Sequence, residues 1–165
     1  MTNGFDKKLL KKLAVTFRRH QQSIAVAESV TSGLLQFALS NAPDASEFYQ
    51  GGITAYNIGQ KYKHLQVEPI HALSVNCVSQ QVAIEMAMEV REKFCSDWGI
   101  GITGYATPVP ASGKEVYAYF AIVFEQDCLS KGRISPKTTN PQLIQQEYVQ
   151  YVLRKLPPLL IQRFG

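Results

Sequence analysis

Three side chains in this sequence have the types and spacing needed for acyl-transfer chemistry: Ser29, Tyr56 and Lys61. Ser29 lies in the stretch Ser23-Ile24-Ala25-Val26-Ala27-Glu28-Ser29-Val30-Thr31-Ser32-Gly33-Leu34-Leu35, where a β-branched apolar run passes through a polar corner. The run before the corner reads as a buried strand, and Leu34, Leu35, Phe37, Ala38 and Leu39 after it read as a buried helix. A strand that feeds a helix in this way sets hydroxyls beside the unpaired N–H groups of the helix start. Such groups can hold an anion or the oxygen of a tetrahedral intermediate, which makes Ser29 a nucleophile candidate. The plainer reading is that Ser29, Thr31 and Ser32 compete to cap the helix, and the corner alone favours that role over catalysis.

A serine hydroxyl is a poor nucleophile until a base takes its proton. A lysine can be that base only if its pKa falls from about 10.4 to roughly 7–8, a change worth roughly 4 kcal/mol. Desolvation in a closed cleft, or a neighbouring cation such as Lys63, supplies such a shift. Tyr56, one short helical turn before Lys61, is placed to hold the lysine or relay its proton. Together the three groups read as a Ser–Lys acyl-transfer site.

The elements that must position them follow from hydrophobic periodicity. Phe5, Leu9, Leu10, Leu13 and Phe17 predict an amphipathic helix over 5–19, followed by a strand over 23–27 and a helix over 31–41 that Pro43 ends. A second strand is expected at 53–56, a short polar helix from Asn57 to about Leu65, and a looser stretch from Pro69 to Ser79. Val82, Met86, Val90 and Phe94 define the next helix face. Strands are expected at 98–103, at 116–124 and at 131–137. Asn140-Pro141 opens a last helix that Pro157-Pro158 is expected to end. The fold class is therefore α/β: a three-layer α/β/α sandwich with a mixed, mostly parallel sheet, one domain over 1–165. Ligands of such sheets sit outside the carboxyl ends of the strands. Three ends converge there, supplying Glu28-Ser29, Tyr56 with Lys61, and Thr103-Gly104.

Composition narrows the function classes. At 165 residues, 45% apolar and 18% charged, the chain suits a single globular core. Its apolar runs are too short to span a bilayer, and the charged stretch from Met1 to His20 lacks a signal-peptide core, so a cytoplasmic location is expected. Three cysteines without C-x-x-C spacing and three histidines without ligand spacing predict no metal site and no disulfide framework. Net charge is +4. Lys7, Lys8, Lys11 and Lys12 read as a solvated helix face, so nucleic acid ranks last among partners.

Four segments in order resemble the C-terminal domain of the competence-damage protein CinA, a family that includes nicotinamide-nucleotide amidohydrolases. Ala27-Glu28-Ser29-Val30-Thr31-Ser32-Gly33 is similar to the family's Ala-Glu-Ser-Cys-Thr-Gly-Gly corner. Gly52-Ile53-Thr54-Ala55-Tyr56-Asn57-Ile58-Gly59-Gln60-Lys61 is similar to its Gly-x-x-Thr-Tyr-x-x-x-x-Lys segment, with Ala55 in place of threonine. Cys77-Val78-Ser79-Gln80-Gln81-Val82 and Thr103-Gly104-Tyr105-Ala106-Thr107-Pro108 match two further motifs.

The resemblance implies an amidohydrolase in which Ser29 attacks a carboxamide, assisted by Lys61 and Tyr56, with ammonia leaving. The implied substrate-binding set is Glu28, Thr31, Ser32 and Gly33 from the corner, with Thr103 and Gly104. The family substrate is nicotinamide mononucleotide. No metal or organic cofactor is implied, and the implied partners are a small-molecule amide or nucleotide and a second copy of the chain. The sequence departs from the family where the substrate is held. Tyr117 stands where glycine is usual, and the family's arginines are missing near Asn140-Pro141 and Gln145-Gln146, with Lys114, Arg133 and Lys137 as the cations left to compensate. Tyr117 is expected to make the pocket shallower and the mononucleotide a poor ligand. A non-catalytic domain that binds a small ligand or partner protein in the same cleft is the alternative.

Overall fold

The computed structural model describes residues 4–165, so the first three residues of the stretch from Met1 to His20 lie outside it. The parallel part of the sheet consists of β1 (Ile24–Glu28), β2 (Tyr49–Thr54) and β3 (Trp98–Gly104), with β1 between the other two. A hairpin of β4 (Ala118–Phe124) and β5 (Asp127–Ile134) continues it antiparallel from β3. Only β4 runs against the other four strands, which is the mixed, mostly parallel arrangement expected.

The two faces of the sheet differ in residue size, and this sets the layers. Ile24, Val26, Trp98, Ile100, Ile102, Phe120, Ile122 and Phe124 point to one face, where α1 (Lys7–Arg19), α2 (Leu34–Ser40) and α6 (Pro141–Phe164) cover them. The other face presents Ala25 and Ala27 to α3 (Ile58–Leu65), α4 (Pro69–Ser74) and α5 (Gln80–Lys93). On β3 that face is glycine: a Cβ on Gly101 would stand 2.1 Å from the Ala83 carbonyl oxygen and one on Gly99 2.2 Å from that of Ala87. Helix α5 lies directly on the strand backbone as a result.

Three local expectations are corrected. Helix α6 runs through Pro157 and Pro158 to Phe164. A proline inside a helix costs about 3 kcal/mol, but Leu156 and Leu160 are buried and Phe164 packs on Trp98 and Phe124. Burying side chains of that size is worth about 1.5–3 kcal/mol each, enough to carry the helix past the break. The looser stretch after Pro69 contains α4, capped by the Glu68 carboxylate on the N–H groups of Ile70 and His71. The last strand starts at Asp127 rather than Lys131, because it pairs with β4 directly across a tight turn.

Candidate functional site

The corner after β1 is built differently from either sequence reading of it. Ser29 to Gly33 form turns, with Ser32 at φ 49° and Gly33 at φ 93°, and α2 begins only at Leu34. None of the three hydroxyls caps it. The buried Glu28 carboxylate does so instead: one oxygen accepts from Leu35 N–H at 3.0 Å and from the Thr31 hydroxyl, the other from Gln36 N–H at 2.7 Å. The remaining first-turn donors, Leu34 and Phe37, bond the carbonyls of Thr31 and Gly33. The helix start thus has no N–H left for a ligand, while the turn N–H groups of Val30 and Thr31 hydrogen-bond to no described residue.

Ser29 and Lys61 meet across this corner. Asn57 caps α3 by accepting from Gln60 N–H, so the helix starts immediately after β2. The inward side of its turns carries Lys61 and, four residues on, Leu65, both buried. Lys61 Nζ lies 2.9 Å from Ser29 Oγ, 3.0 Å from the Ala55 carbonyl oxygen and 3.4 Å from that of Tyr56. The lysine is 1% exposed, and burial pushes its pKa down, with a smaller opposing effect from Cys77. An uncharged amine has two N–H groups and one lone pair. In that form, with both N–H groups on the carbonyls, the lone pair is left to accept from the Ser29 hydroxyl, whereas the charged ammonium donates to it.

Tyr56 takes part through its main chain. Its ring is 77% exposed at the cleft rim, and its phenol bonds no described residue. Of the six residues expected to bind substrate, Ser32, Thr103 and Gly104 line the cleft, while Glu28, Thr31 and Gly33 do not. The Thr103 hydroxyl donates to the Cys77 carbonyl at 2.7 Å. That bond secures the turn at Asn76 and Cys77, which sit at φ 49° and 61°. Gly104 leaves room for β4, since a Cβ there would lie 2.5 Å from Ala118 Cα.

The cleft outside these strand ends has a volume of about 610 Å³. Asn76, Tyr105 and Gln145 line it although the periodicity gave no signal for them as wall residues. Tyr117 does not line it. The ring packs edge-on at 5.4 Å against Tyr105, which does, and lies under the Arg133 guanidinium. The expected narrowing by Tyr117 is therefore replaced by support of the Tyr105 wall from behind. Among the described residues there is no cluster of His, Cys, Asp or Glu able to hold a metal ion, and no helix long and apolar enough to cross a membrane.

The CinA C-terminal domain family model matches residues 6–160. The chain belongs to that family. CinA-like proteins of Amoebophilus asiaticus and Gloeothece citriformis are 41% and 44% identical over 106 and 91 residues, covering 64% and 55% of this chain. The chain spans about a quarter of the length of the curated relatives it matches, 26% and 22% for these two. A competence or damage-inducible protein from Enterobacter asburiae superposes with a TM-score of 0.88 at 28% identity, over 93% of this chain and 97% of that one. Pro141 and Gln145 of α6 line the cleft.

Proposed function

We propose that this CinA-family domain hydrolyses a carboxamide through a Ser29–Lys61 pair. The observation that carries the reading is the buried Lys61 amine, held by two carbonyls with its third direction on Ser29 Oγ at 2.9 Å. Lys61 Nζ takes the Ser29 proton as Oγ bonds the amide carbon. The turn N–H of Val30, a residue that lines the cleft, is the donor available to the developing oxyanion. As the C–N bond breaks, Lys61 returns the proton to the leaving nitrogen, and ammonia departs. Water then attacks the acyl-serine with Lys61 again as base, releasing the carboxylate and restoring the hydroxyl.

Two arguments favour this pair over a structural lysine. A lysine without a carboxylate partner and 1% exposed costs stability unless it is kept for another purpose. It also borders an open cleft, and burial moves its pKa down, the direction that a general base requires. The reading carries with it a homodimer in the cytoplasm, checked by sedimentation and by cell fractionation. The deciding experiment incubates pure protein with simple amides and pyridine nucleotides and assays ammonia. Release that Ser29→Ala and Lys61→Met each abolish supports the pair; release that survives either substitution refutes it.

A further inference from the structure

We propose that the site takes a flat, hydroxylated carboxamide without a phosphate, and that Gln145 sets this preference. The inference rests on the amidohydrolase reading above and adds the substrate class. Among the described residues lining the cleft, Lys61 is the one basic side chain, and there is no carboxylate. The contacts of the Lys61 amine are Ser29 and two carbonyls at the cleft floor, so it is not directed at a distal group. Arg133 is paired with Glu115 and stacked 4.0 Å over Tyr117, and neither it, Lys114 nor Lys137 lines the cleft. A phosphate bound here would meet no charged donor, and a desolvated anion without one is unfavourable.

The wall does offer neutral polar groups and a fixed ring. Asn57, Asn76, Gln145, Ser32 and Thr107 present amides and hydroxyls, the partners that sugar or other hydroxyl groups require. Tyr105 is anchored three ways: its hydroxyl accepts from the Asn76 amide at 3.1 Å, its carbonyl accepts from Tyr148 Oη at 2.8 Å, and Tyr117 backs its ring. A rigid aromatic wall suits stacking of a flat ring. Gln145 reaches the cleft from the first turns of α6, with its Nε2 donating to the Val30 carbonyl at 2.8 Å. It therefore joins the outer wall to the residue that follows the nucleophile.

The test compares nicotinamide riboside with nicotinamide mononucleotide, a pair differing only by the phosphate, with benzamide as an uncharged flat amide. Ammonia release should give the riboside a kcat/KM at least about tenfold above the mononucleotide's, this being the cost of desolvating an anion that finds no charged donor. Equal or better turnover of the mononucleotide overturns the substrate class and leaves the hydrolase reading standing. If no amide releases ammonia, the hydrolase reading fails, and equilibrium binding of the same pair still decides the class. Tighter riboside binding then supports it; tighter or equal mononucleotide binding, or binding of neither, overturns it. Gln145→Arg should shift the preference toward the mononucleotide by about tenfold to a hundredfold, by supplying one charged donor. An unshifted preference in that variant removes the assignment to Gln145.

Discussion

Replacing Glu28 by glutamine tests the account of the corner on which Ser29 stands. The carboxylate holds three donors: the Thr31 hydroxyl and Leu35 N–H on one oxygen, and Gln36 N–H at 2.7 Å on the other. In Glu28→Gln, the amide oxygen can keep the first two, but the NH₂ group then faces the Gln36 N–H. One hydrogen bond to a charged group is lost, about 1.5–3 kcal/mol. Loss of negative charge at the helix start adds about 0.3–1 kcal/mol. Relief of a buried charge offsets part of this, leaving a net loss of about 2 kcal/mol. For a protein of 165 residues that corresponds to a fall in Tm of about 4–8 °C. Urea unfolding of both proteins at pH 7 reads it directly. A companion variant, Thr31→Val, removes the hydroxyl from the same oxygen, and the double variant should show a coupling of about 1 kcal/mol. Glu28→Gln as stable as the parent, or independent of Thr31→Val, would refute the cap. Stability measured this way does not depend on whether the site is catalytic.

Other outcomes follow from the same geometry. Lys61→Met should abolish ammonia release while the variant still unfolds cooperatively, and in the parent kcat should rise with pH through a pKa below the ordinary lysine value. The folded chain holds the Lys61 proton less tightly than the unfolded chain, so this residue makes stability rise with pH up to about 10.5, and urea titrations of the parent should show a slope there that Lys61→Met lacks. Tyr49 has its pKa pushed up to about 12, first by burial and then by the Glu28 charge. Its contribution to stability is present below pH 10 and lost as pH rises from about 10 to about 12, which ultraviolet titration of Tyr49→Phe against the parent checks. Gly101→Ala sets a methyl group 2.1 Å from the Ala83 carbonyl oxygen, and denaturant unfolding should show a loss of about 3 kcal/mol or more. A loss under about 1 kcal/mol would mean that α5 can lift off β3.

The layers were legible in the sequence because they depend on local patterning. Large residues alternate with Ala and Gly along 24–28 and 98–104, and a strand sends alternate side chains to opposite faces. Asn57 and Asn140 were readable as helix starts, because a cap bonds within three residues of itself. The meeting of Ser29 and Lys61 was legible for a related reason. Both follow the carboxyl ends of adjacent parallel strands, and β-sheet pairing carries such ends to one side.

What the tertiary structure decided involves groups that no residue type announces. The two acceptors that orient Lys61 are main-chain carbonyls of Ala55 and Tyr56, so the tyrosine matters by its backbone while its phenol stays outside. Glu28 caps α2 from seven and eight residues away because the strand's end and the helix's start are folded face to face, a distance no capping pattern spans. Tyr117 stands behind Tyr105 rather than in the cleft, a matter of how β4 lies beside β3. Helix α6 crosses two prolines because Leu160 and Phe164 have a core to enter. Local sequence determines which elements form and which way each side chain leaves its backbone. Which carbonyl, carboxylate or ring it then meets depends on how the elements turn back and pack on one another, and only the tertiary structure settles it.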